Sequence, residues 1–121
     1  MIGKIRLNLL NEFVTFAVQF LEIKNKPLIT LKTERDGLKT YAHFEYGNGK
    51  KPKIATYIKN RSLADIMRSI AHELVHCKQL EDGDLDGEKP QDIGGKIEDD
   101  ANAIAGQLVK AFGYSHNNIY E

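Results

Sequence analysis

Leu7, Leu10, Val14, Ala17, Val18 and Leu21 recur at steps of three and four residues. That period places them on one face of a helix from about Leu7 to Lys24, which Pro27 ends. Three strand-like runs follow: Leu28–Glu34, Leu38–Tyr46 and Lys53–Ile58. Arg35-Asp36-Gly37 and Gly47-Asn48-Gly49 separate them, and such short turns predict an antiparallel meander. Ser62 opens a second helix, with Asp65 completing an approximate capping box. Leu63, Ile66, Met67, Ile70, Ala71 and Leu74 form its apolar stripe, and it runs to about Glu81. Asp82–Lys96 is rich in glycine and acids and reads as a loop. A third helix spans about Ile97 to Phe112, with Gly113 as its C-cap. Helix, three strands, helix, helix is the order of an α+β domain.

A chain of 121 residues suits one such domain, residues 1–121. Basic and acidic residues are equal in number at 17 each, so no polyanion partner is expected. Lys50, Lys51 and Lys53 read as a solvated hairpin tip. The one cysteine, Cys77, excludes an internal disulfide and fits a reducing compartment. Neither a signal peptide nor a membrane span is expected, and the cytoplasm is the predicted location. The oligomeric state is left open.

The second helix carries His72-Glu73-Leu74-Val75-His76, an H-E-x-x-H sequence. Two histidines four apart lie on one ridge, where both imidazoles can converge on one Zn²⁺ per chain. Glu73 lies beside the first, placed to act as general base on a metal-bound water. The stripe centred on Ile70 and Leu74 points almost opposite to His72 and His76, so one face can pack while the other meets a cleft.

A catalytic zinc needs a third protein ligand. His116 lies on the unpatterned tail, so the acids opening the third helix are better placed. Ile97, Ala101, Ile104, Ala105, Leu108 and Phe112 form that helix's apolar stripe, and Glu98 borders it. Asp99 and Asp100 point away, where they favour the helix N-terminus. Glu98 is therefore the expected third ligand. Asn102, one turn on, is placed to accept a hydrogen bond from the outer nitrogen of a ligand histidine.

His72-Glu73-x-x-His76 followed by Glu98-x-x-Ala101-Asn102-x-x-Ala105 resembles the gluzincins, zinc peptidases with two histidines and a downstream glutamate. Size and element order look like the minigluzincins, which reduce that fold to one compact domain. Glu98–Leu108 is similar to the ImmA/IrrE peptidases. His76-Cys77-Lys78-Gln79 is similar to short phage-encoded and SprT-like peptidases, although the third histidine of the latter is missing. The resemblance covers roughly Lys53 to Phe112, and Asn102 stands where an Asp is more usual. It implies a compact zincin-like domain with a three-stranded, mainly antiparallel sheet. It also implies that an edge strand above the metal binds an extended peptide or protein substrate, and Lys53, Ile54, Ala55, Thr56, Tyr57 and Ile58 match by position.

The implied reaction is peptide-bond hydrolysis, with Glu73 taking a proton from water and passing it to the leaving amine. The oxyanion needs a second donor. Larger gluzincins supply a His or Tyr from a later domain, and here Tyr114, His116 and Tyr120 lie downstream. His43 reads as a hydrogen-bonded surface histidine, Cys77 as a small packed residue, and Glu81–Gly87 as a solvated loop forming one cleft wall. The other reading is a zinc-binding peptide-interaction module, catalytically silent or self-inhibited by the tail Tyr114–Glu121.

Overall fold

The structure, a computed structural model, describes residues 3–34, 41–47, 49, 51–84 and 95–120. Its elements are α1 (Lys4–Leu21), β1 (Leu28–Lys32), β2 (Ala42–Glu45), β3 (Lys53–Tyr57), α2 (Leu63–Glu81) and α3 (Lys96–Ser115). A short 3-10 turn, Asn117–Tyr120, follows. This is the expected α+β architecture.

Each helix forms where its apolar period runs. α1 buries Leu10, Phe13, Val14, Ala17 and Leu21. It stops well before Pro27, because Glu22 turns left-handed (φ 56°) and donates to Gln19 O while Ile23 donates to Val18 O. That is a Schellman closure with glutamate in place of glycine. α2 starts at the expected cap, where Ser62 Oγ accepts from the Asp65 N–H at 3.1 Å. The Asp65 carboxylate does not return to complete a capping box; it accepts from Arg61 Nε instead. α3 runs past Gly113, which is buried inside the helix rather than capping it. A Cβ at Gly113 would stand 2.6 Å from Tyr120 Oη, so glycine serves the close approach of the tail.

The sheet departs from the meander. Its order is β1-β3-β2, with β1 parallel and β2 antiparallel to β3. Leu28 pairs with Lys53 and Lys32 with Tyr57 on one side of β3, and Ala42 pairs with Thr56 and Phe44 with Ile54 on the other. Lys53–Tyr57 is thus the central strand. Its N–H and C=O groups are shared between two neighbours, so it cannot accept a substrate strand. β1 and β2 are the edges.

Ile54, Phe44 and the apolar stripes of all three helices share one core, at whose centre α2 buries Ile66, Met67, Ile70, Ala71 and Leu74. α2 therefore lies between the sheet, α1 and α3, and its remaining ridge faces the start of α3.

Candidate metal centre

His72 and His76 stand one turn apart on α2, and their rings meet edge to face with centroids 4.7 Å apart. Glu98, in the first turn of α3, reaches across to both. Its Oε1 lies 2.6 Å from His76 Nε2 and 3.1 Å from His72 Nε2, and the two Nε2 atoms are 3.1 Å apart. His76 is buried, while His72 and Glu98 are about four-fifths buried, at 20% and 21% side-chain exposure. Asp99 is exposed, as its helical phase requires. Ala101 and Ala105 are fully buried on the face of α3 that brings the two helices together.

Among the described residues this is the one group of three His, Cys, Asp or Glu side chains whose donor atoms come close enough to share a metal ion. The donor chemistry fits a cation. Ligand atoms on a tetrahedral zinc stand roughly 3.3 Å apart at bonds of about 2.0–2.1 Å. Two of the observed spacings, at 3.1 Å, are close to that, and the third, His76 Nε2 to Glu98 Oε1 at 2.6 Å, is about 0.7 Å tighter, so the Glu98 carboxylate has to draw back from His76 to admit the ion. Three lone-pair atoms at these distances repel one another unless a proton or a cation lies between them.

The second nitrogen of His76 is held too. Nδ1 lies 2.7 Å from Gln79 Oε1, and Gln79 Nε2 donates to Ile97 O at 3.1 Å. The expected partner, Asn102, is exposed and makes no hydrogen bond to either histidine among the described residues. Four helical residues past Glu98, it has already rotated off the face that meets α2. Sequence reasoning missed Gln79. The available signal was an amide three residues after the second histidine of the H-E-x-x-H sequence, on the same ridge.

Glu73 is 9% exposed. Burial pushes its carboxyl up to about 8, and the charge of Glu98 adds to the rise. Glu73 follows His72 directly in sequence and is near enough to Glu98 to feel its charge. Cys77 is buried, and burial with Glu81 nearby pushes its thiol up to about 12. It is packing, as expected.

The tail does not reach the centre. α3 is unbroken from Lys96 to Ser115, which puts Tyr114 about 24 Å along the helix from Glu98. Tyr114 is exposed, and His116 stacks on Phe112 and meets Glu12 of α1 through Nε2 at 3.1 Å. Tyr120 lies over Gly113 and Ile119 is buried, so residues 117–120 are anchored at that far end. None of these side chains can stabilise an oxyanion at the metal group, and the described tail does not block it; Glu121 lies outside the described residues. His43 occupies the face of β2 opposite Ala42 and Phe44, so it turns away from α2 and pairs with Glu45 at 2.8 Å. That hydrogen bond holds the Glu45 carboxyl below the usual value. Of the expected cleft wall, Glu81–Gly87, Glu81 closes α2 and its carboxylate accepts from the N–H groups of Lys24 and Asn25, and residues 85–87 lie outside the described residues.

No helix among the described residues is long and apolar enough to cross a membrane. Compared with protein-family models, with curated proteins and with solved structures, the chain matches none of them.

Proposed function

We propose that this chain is a zinc-dependent peptidase of the gluzincin type, with His72, His76 and Glu98 as ligands and Glu73 as general base. The observation that carries the reading is a buried carboxylate, Glu73, inside the helix that presents two convergent imidazoles to a third ligand. A metal site built only to hold structure has no use for a desolvated acid next to a ligand.

Zinc bound by the three side chains supplies Lewis acidity to water and to a substrate carbonyl. His72, His76 and Glu98 would hold the ion, and among the described residues no fourth His, Cys, Asp or Glu joins their group. The Glu73 carboxylate takes the proton of the attacking water and delivers it to the departing amine nitrogen. With β3 internal, the strand that can receive an extended substrate is β2, Ala42–Glu45, the antiparallel edge packed against α2.

The test is cleavage of an unfolded protein by zinc-loaded material. Glu73→Gln is expected to abolish cleavage while about one zinc per chain remains, and Glu98→Ala to weaken zinc retention. One observation favours the second reading, a zinc-dependent peptide-binding module: the tail supplies no oxyanion donor. Zinc retention with peptide binding and no turnover in the unaltered chain decides for that reading.

A further inference from the structure

We infer that Gln79 is a positioning residue that keeps the metal-facing nitrogen of His76 free of its proton. The inference rests on His76 being a metal ligand.

The amide of Gln79 has one orientation that satisfies both of its neighbours. Ile97 O can only accept, so the NH₂ group faces it, and Oε1 is left facing His76 Nδ1 at 2.7 Å. An amide oxygen can only accept. The proton of a neutral His76 imidazole therefore sits on Nδ1, and Nε2 presents its lone pair to Glu98 Oε1 and His72 Nε2.

Without that anchor, the metal-free centre has an easy way to satisfy itself. Glu98 Oε1 lies 2.6 Å from His76 Nε2, an ideal acceptor for a proton there. His76 would shift its proton to Nε2, donate to the carboxylate and close the site with a charge-assisted hydrogen bond. Zinc would then have to break that bond and expel the proton. Gln79 places a competing acceptor on the opposite nitrogen. It is 7% exposed, so water is a poor substitute for the amide. The same side chain binds the carbonyl of Ile97, the residue before Glu98. One amide thus orients a ligand on α2 and grips the turn of α3 that carries the other.

Two variants separate this role from simple packing. Gln79→Met keeps the length and removes both hydrogen bonds. Gln79→Glu keeps an acceptor for Nδ1 and gives up the donation to Ile97. The first readout is the ¹⁵N tautomer pattern of His76 in chelator-treated protein at mildly alkaline pH, which needs no metal. The unaltered protein and Gln79→Glu are expected to show Nδ1–H, and Gln79→Met to shift toward Nε2–H. The second is zinc affinity, by competition with a chromogenic chelator. Gln79→Met is expected to lose about 10–100-fold, and Gln79→Glu to recover most of it. A His76 that keeps Nδ1–H in Gln79→Met, or a Gln79→Glu that binds zinc as weakly as Gln79→Met, overturns the inference. Failure of the unaltered protein to bind zinc, with the Nδ1–H tautomer present, sinks the metal reading and leaves the positioning geometry standing.

Discussion

Thr56 is the described residue whose chemistry fits its place least well. It lies on β3, two residues from Ile54 and on the same core-facing side, and it is fully buried. Among the described residues its Oγ1 has no hydrogen-bond partner. A buried hydroxyl in that state costs about 1–3 kcal/mol of desolvation. Valine has nearly the same shape and no polar atom. Thr56→Val is therefore expected to raise the unfolding free energy by about 1 kcal/mol, read from urea denaturation. A drop in stability would mean that the hydroxyl has a partner, such as an enclosed water. Single residues were unevenly legible in the sequence. His72, His76 and Glu98 followed from helix phase, because phase is local and their elements were strongly periodic. Asn102 and Gln79 show the limit: each sits one turn from a member of the His72–His76–Glu98 group, and only the angle at which α3 crosses α2 decides which of them points inward.

At the scale of elements, the helices and the three strands were readable and the pairing of the strands was not. Helical period is written in neighbours three and four apart, whereas strand pairing is decided between segments far apart in sequence. The short turns suggested neighbours in sequence as neighbours in space. The chain instead carries β2 past β3, so that β1 and β3 pair in parallel. Among the described residues, Arg61 ties this sheet to α2. Arg61 is 5% exposed, and its guanidinium donates to Tyr57 O at the end of β3, to Asp65 and to Ser69 Oγ on α2, while lying over the Tyr41 ring at 4.4 Å. A lysine cannot make that fork. Arg61→Lys is expected to lower stability by about 2 kcal/mol, measured by urea unfolding. Asp65→Asn should cost well under half of that, because its carboxylate is 53% exposed and water replaces the ion pair. Equal losses in the two variants would place the energy in the exposed pair and not in the buried fork.

For the whole molecule, the metal group and the fold are linked through protons. Glu73 in the metal-free fold releases its proton only near pH 8, whereas an unfolded chain releases it near 4.5. Below the lower value both states hold the proton and it has no effect on stability. As pH rises through the window, the unfolded state gives up its proton first, so the metal-free fold loses stability, by up to a few kcal/mol in order of magnitude. On the proposed function, zinc is expected to reverse the trend. Its charge favours the Glu73 carboxylate, and binding requires both imidazole Nε2 atoms to be free of protons, so rising pH strengthens its hold. Free zinc at about 100 times its Kd adds about 2.7 kcal/mol to the folded state. For a domain of this size that is a Tm gain of about 10 °C. Melts with zinc and with chelator are therefore expected to diverge as pH goes from about 6 to about 8, the chelated protein melting lower and the zinc-loaded one higher. Glu73→Gln should flatten the chelated limb, because it removes the titrating group and leaves the ligands in place. Melts that coincide at both pH values would show that no cation stabilises the fold through these side chains. A gap of constant width would show that the cation binds without coupling to protons, contrary to a centre built from two imidazoles beside a buried acid.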